Sequence, residues 1–156
     1  TPGSPNGIIF NTPPVEVAFS ESSQLFESNF ELVLSCETPG AVIRYTTDLT
    51  EPSNEFGSES TLYSGPISIN KSTQIRTQSF IPGSLDGPIS TKTFLKMSGS
   101  VPDFTSNLPI IVMSTLGKGG PPDSGSTSRK DAYLFFFEPD PETGRTSLKQ
   151  EPKFKL

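Results

Sequence analysis

The sequence predicts an all-β fold: a two-sheet sandwich followed by a partial second β-rich segment. Three observations carry this reading. Ser and Thr supply 39 of the 156 residues, and 16 Pro and 13 Gly punctuate the chain, a balance that favours turns and short strands over helices. No stretch keeps a helical period between capping residues. Apolar segments recur between turn signals at spacings of about 8 to 12 residues, as the strands of a sandwich do. Hydrophobic residues are only 31% of the chain, so the core is thin and the loops are generous.

The elements follow in order. Residues 1–13 are a linker and lead-in: Thr1 to Gly7 is too rich in Pro and Gly for a regular element, and Pro13-Pro14 bars a helix after Ile8-Ile9-Phe10. Val15 to Phe19 alternates as a strand. Phe30 to Cys36 is the strongest strand, with Phe30, Leu32, Leu34 and Cys36 on one face at period two. Thr38-Pro39-Gly40 turns the chain into a second strand, Ala41 to Thr46, and the two read as a hairpin. On the second strand Ala41, Ile43 and Tyr45 point inward, and Arg44 and Thr46 point to water. Thr47 to Thr61 is an acidic polar loop. Two strands, Pro66 to Ile69 and Gln74 to Phe80, flank the turn Asn70-Lys71-Ser72, and a short strand from Ile89 to Leu95 closes a module spanning 14–97. The single Cys36 sits in the apolar alternation and reads as a small buried hydrophobe.

Residues 98–156 have a different texture. Leu108 to Met113 and Ala132 to Phe137 are continuous apolar runs, the pattern of strands covered on both faces. A segment of about 60 residues hides too little surface to bury two such strands alone, so either it packs on the sandwich or, the reading we favour, it is the start of a truncated domain. An apolar face left by that truncation predicts self-association through 108–113 and 132–137.

A resemblance sharpens the first part. Val42 to Pro52, with Tyr45-Thr46-Thr47-Asp48 at its centre, then Leu62 to Ile67, Thr73 to Thr77 and Gly83, resembles the chitobiase/β-hexosaminidase C-terminal module over residues 14–96. The resemblance implies an immunoglobulin-like or fibronectin-like sandwich that accompanies an enzyme without being catalytic. Members of that group show Gly after the Asp, whereas Leu49 stands here, so a turn requiring positive φ at that position is strained. A shorter run, Ser106 to Val112 with Glu138-Pro139-Asp140 and Gly144 to Leu148, resembles the segment preceding the catalytic region in the spore-coat protein H-like kinase family. That likeness implies the first part of a kinase-like domain.

The chemistry available is narrow. The chain has no His, which removes the commonest general base and the Ser-His and Cys-His nucleophile systems; with a single Cys it also lacks most zinc ligands. Asp48, Glu51, Glu55 and Glu59 share one loop with no second wall opposite them, so a paired-carboxylate glycosidase is not expected. We therefore expect no enzyme activity and no cofactor. The alternative occupant of that loop is Ca²⁺, held by Asp48, Glu51 and Glu55, although the spacing fits no EF-hand. Asp123 to Asp131 reads as a surface loop without a phosphate cradle. A net charge of −5 with scattered basic residues gives no nucleic-acid surface, and no apolar run spans a membrane. Arg44 and Arg76 point outward from neighbouring strands, where cross-strand pairing with Glu or Gln is the plainer account and an anion site the alternative, and Asn70-Lys71-Ser72 fits a glycosylation acceptor.

The leading expectation is a secreted or cell-surface spacer module whose partners are neighbouring domains of the same polypeptide. The alternative is a carbohydrate-binding module docking polysaccharide through an aromatic platform, with Tyr63 as the candidate and Phe80 as a second exposed ring.

Overall fold

The computed structural model describes residues 13–117, 119 and 131–155. The predicted linker, Ile8 to Phe10 and most of the loop containing Asp123, Arg129 and Lys130 lie outside these residues. Among the described residues strand makes up 38% and helix 2%, in several sheets that do not close into a barrel, so the all-β class holds and the sheets are those of a β-sandwich.

The strands in chain order are β1 (Ala18–Phe19), β2 (Gln24–Phe26), β3 (Phe30–Leu32), β4 (Leu34–Ser35), β5 (Val42–Thr46), β6 (Thr61–Leu62), β7 (Ile67–Ile69), β8 (Thr73–Phe80), β9 (Ser90–Lys96), β10 (Thr105–Ser106), β11 (Ile110–Ser114), β12 (Tyr133–Phe137), β13 (Thr146–Ser147) and β14 (Phe154–Lys155). They fall into two compact units, each discontinuous in sequence. The first gathers the described residues up to Phe19 with Leu34–Gly65 and Arg76–Ser90; the second gathers Ser20–Val33, Pro66–Ile75 and the described residues from Thr91 onward.

In the first unit β1 pairs antiparallel with β4, and β5 lies between β6 and the last five residues of β8, from Val42↔Phe80 to Thr46↔Arg76. Its buried apolar side chains include Val17, Leu34, Ile43 and Phe80. In the second unit β2 runs parallel to β9 and β3 pairs antiparallel with β7. Phe30 sets its ring edge-on against Phe26 and Phe94, each at 5.3 Å between centroids, a geometry aromatic quadrupoles favour. The same unit holds the sheet β11-β12-β14 and the short pair β10-β13. Leu95, Phe135, Phe137 and Leu148 form a buried cluster there, with Leu25, Met97, Ile110 and Val112 packed against it. The Gln74 amide, nearly buried, donates to the Thr93 hydroxyl (3.1 Å) and accepts from the Tyr133 hydroxyl (3.2 Å), so β12 is tied to β8 and β9 by polar contacts within this unit.

Four expectations are corrected. The strand predicted over Phe30 to Cys36 keeps its alternation, with Leu32 and Leu34 buried, but breaks at Val33. Both backbone groups of Val33 are taken by Ser20: the Ser20 N–H donates to the Val33 carbonyl (2.9 Å) and the Val33 N–H to Ser20 Oγ (3.0 Å). The chain thereby exchanges one partner strand for another at Val33, β3 on β7 and β4 on β1. The predicted hairpin is consequently absent. Thr38-Pro39-Gly40 does turn, closed by Ala41 N–H to the Thr38 carbonyl (3.2 Å) with Gly40 at φ 76°, but it joins two strands that do not pair.

Thr46 does not face water. It is 3% exposed, because the following loop folds back and its hydroxyl donates to the Thr50 carbonyl at 2.6 Å. Nor is β11 covered on both faces. It is an edge strand that alternates, half-buried at Ile110 and Val112 and exposed at Ile111 and Met113. Only β12, between β11 and β14, buries Phe135 and Phe137 fully.

Candidate functional site

The acidic loop is built around hydrogen bonds that its own residues consume. Asp48 Oδ1 accepts from the Thr50 N–H (3.1 Å) and the Thr50 hydroxyl (2.6 Å), a carboxylate closing its own turn two residues on. Leu49 takes φ 79°, the left-handed conformation that the sequence flagged as strained for a side chain. Arg76, opposite Thr46 on β8, reaches under this turn: one guanidinium nitrogen donates to the Leu49 carbonyl (2.8 Å) and another pairs with Glu51 (3.3 Å). Replacing Leu49 with Gly is expected to raise stability by about 0.5 kcal/mol, since the strain removed, about 1–2 kcal/mol, exceeds the added chain entropy of Gly, about 0.5–1 kcal/mol. Leu49→Val should lower it by about 1 kcal/mol, because β-branching worsens the same conformation. Denaturant midpoints of the two variants check both signs.

The second half of the loop is pinned by Arg44, whose Nε donates to Asn54 Oδ1 (2.9 Å) and whose Nη1 donates to the Ser60 carbonyl (3.1 Å). Both arginines therefore donate to groups of the loop, and Arg76 takes Glu51 as its ion-pair partner. Between these anchors Ser53 N–H donates to Ser60 Oγ (2.7 Å) and the Ser58 hydroxyl to the Ser53 carbonyl (3.1 Å). Glu55 is exposed and bonded through its backbone, its N–H donating to Ser53 Oγ and its carbonyl accepting the Ser58 N–H. Asp48 and Glu51 thus meet on the turn that Arg76 holds, while Glu55 stands apart. Among the described residues no group of three or more His, Cys, Asp or Glu side chains converges as metal ligands.

Tyr63 is half-buried, and its hydroxyl accepts the Leu34 N–H at 3.1 Å, so the ring lies along the edge of β4. Phe80, the other ring expected at the surface, is 2% exposed and belongs to the buried apolar side chains of the first unit. Cys36 is half-buried with Sγ 3.5 Å from the Val15 carbonyl.

In the second unit a cavity of about 290 Å³ opens between Ser22–Glu27 and Leu148–Pro152 over Met97 and Phe137. Phe26 and Phe137 are buried in its floor and offer no free ring face. Lys149 on its rim is held by Asp103 at 2.7 Å, and that hydrogen bond raises its pKa. Nearby, Asp140 closes a turn: hydrogen bonds from the Thr143 N–H and hydroxyl, then from the Glu142 N–H, hold its carboxyl below the usual range.

The loop from Thr46 to Ser60 lies in the middle of a stretch that a family model matches. Residues 32–94 match the model of the Fn3 associated family. The match is consistent with a fibronectin III-like or immunoglobulin-like associated module and marks an accessory β-domain. No curated protein and no solved structure matches the chain. The matched region includes β4 to β8, the acidic loop, both arginines and Tyr63; β10 to β14 lie outside it. Within that region the sequence reading passed over Phe56, which stands fully exposed at the loop tip. The available signal was an aromatic ring alone between Asn54-Glu55 and Gly57-Ser58.

Proposed function

We propose that the chain is a noncatalytic accessory β-module, secreted or displayed at a cell surface, which spaces or orients neighbouring domains of a longer polypeptide. The observation that carries this reading is the direction of the loop chemistry. Asp48, Glu51, Arg44 and Arg76, the residues best suited to a ligand, are turned onto backbone and side-chain partners of the loop itself. The family match over residues 32–94 supports it. Within such modules we place the region nearest the chitobiase/β-hexosaminidase C-terminal type, because Leu49 adopts the positive φ that the glycine of that motif would take.

A carbohydrate platform needs a ring face open to a sugar and polar groups free beside it. Tyr63 is half-buried and its hydroxyl already accepts a backbone N–H, which supports the spacer reading over the carbohydrate one. Co-sedimentation with insoluble chitin and cellulose tests the choice: the chain is expected in the supernatant with both polymers. Retention that disappears on Tyr63→Ala would transfer the assignment to a carbohydrate-binding module.

A further inference from the structure

Phe56 is the most exposed large hydrophobic side chain among the described residues, at 108% of its reference area against 65% for Leu108, the next. Single apolar residues on a surface are ordinary, but Phe56 stands on a hydrogen-bonded turn. It occupies the second position of the turn Glu55-Phe56-Gly57-Ser58, closed by the Ser58 N–H on the Glu55 carbonyl at 3.2 Å, with Gly57 at φ 83°, as a type II turn requires. The turn is fixed by Ser53 and Ser60, and these by Arg44. The ring is thus presented on a backbone already ordered, so an incoming surface pays little conformational entropy to engage it. Glu55 and Glu59 flank it, both exposed, and neither carboxylate has a partner among the described residues.

We propose that Phe56, with Glu55 and Glu59, is a docking knob that seats in an apolar, single-ring pocket rimmed by Lys or Arg on a partner protein. The shape is convex, which suits a concave protein surface rather than a small molecule. The side chain carries no polar atom, and its two neighbours bring carboxylates that form no ion pair among the described residues. Cations at a pocket rim answer that charge, whereas a neutral glycan would strip water from both carboxylates without neutralising either.

The recognition chemistry is tested on the intact chain with two hosts of one cavity size: unmodified β-cyclodextrin and its per-6-amino derivative, whose rim carries ammonium groups. Titration calorimetry is expected to give binding to the amino host about threefold to tenfold tighter at low salt, from two exposed ion pairs, and an equal affinity for both hosts in strong salt. Phe56→Ala should abolish binding of both hosts. The double variant Glu55→Gln/Glu59→Gln should retain the neutral host and lose the preference for the amino host. Equal affinities at low salt, or binding that survives Phe56→Ala, would overturn the proposal. Retention on chitin or cellulose that depends on Phe56 would overturn it too, making the ring a sugar platform.

Discussion

Phe135→Ala should destabilise the chain by about 3–5 kcal/mol, the cost of removing a buried ring and leaving a cavity that the surroundings only partly fill. The side chain is 1% exposed and sits in a cluster with Leu95, Phe137 and Leu148. In a protein of this size the loss lowers the melting temperature by about 10 °C, at roughly 2–4 °C per kcal/mol. Ile111→Ala on the adjacent β11 is the control, since Ile111 is 59% exposed and an exposed substitution changes stability by about 0.5 kcal/mol or less. The pair is informative because the two residues lie in apolar runs that look alike in the sequence. If the β11-β12-β14 sheet were an appendage with its own weak melting, Phe135→Ala would leave the main transition in place. The buried contact of Phe135 with Leu95 of β9 predicts instead that the main transition moves.

Gly87→Ala is expected to cost about 2–3 kcal/mol, the upper part of the range for forcing atoms into a packed site. A Cβ at Gly87 would overlap Ser79 Oγ and lie 3.1 Å from the carbonyl oxygens of Pro14 and Ser79. Ser79 is fully buried and its hydroxyl donates to the Val15 carbonyl at 2.9 Å, so moving it also breaks a hydrogen bond. Gly87 cannot withdraw, because its N–H donates to the Ser79 carbonyl (2.8 Å) and its own carbonyl accepts from the Gln78 amide (2.8 Å). Its backbone approach to β8, not its conformational freedom, is what requires glycine. The double variant Gly87→Ala/Ser79→Ala removes the worst overlap and retains the two carbonyl contacts, so it should recover about 1 kcal/mol relative to the sum of the single effects. Additive losses in urea unfolding would show that Ser79 is not what the new methyl meets.

Much of this architecture was legible because period-two alternation reports burial directly. Leu32, Leu34 and Ile43 are buried where the pattern places them. Pairing was not legible, because alternation says which face is inside and nothing about which strand lies alongside. The switch of partners at Val33 depends on Ser20, thirteen residues away, a contact with no sequence signature. The same gap hid the edge position of β11: a continuous apolar run reads as doubly covered, yet only one face of β11 meets the Leu95–Phe135 cluster. At the loop, Asp48 as turn chemistry and the strain at Leu49 followed from residue type and the motif. The roles of Arg44 and Arg76 did not, since their reach across ten to twenty-seven residues appears only once β5 and β8 lie side by side.

The central claim is that Asp48, Glu51, Arg44, Arg76 and Tyr63 serve the fold and hold neither Ca²⁺ nor a sugar. Its most direct test is the melting temperature of the 156-residue chain, with and without millimolar Ca²⁺ and soluble chitin or cellulose oligosaccharides. A ligand present at about one hundred times its Kd would add about 2.7 kcal/mol to stability and move the transition by several degrees. The account predicts that the midpoint stays within about 1 °C once ionic strength is matched with NaCl. A saturable rise of several degrees, removed by Asp48→Asn for calcium or by Tyr63→Ala for a sugar, would contradict it.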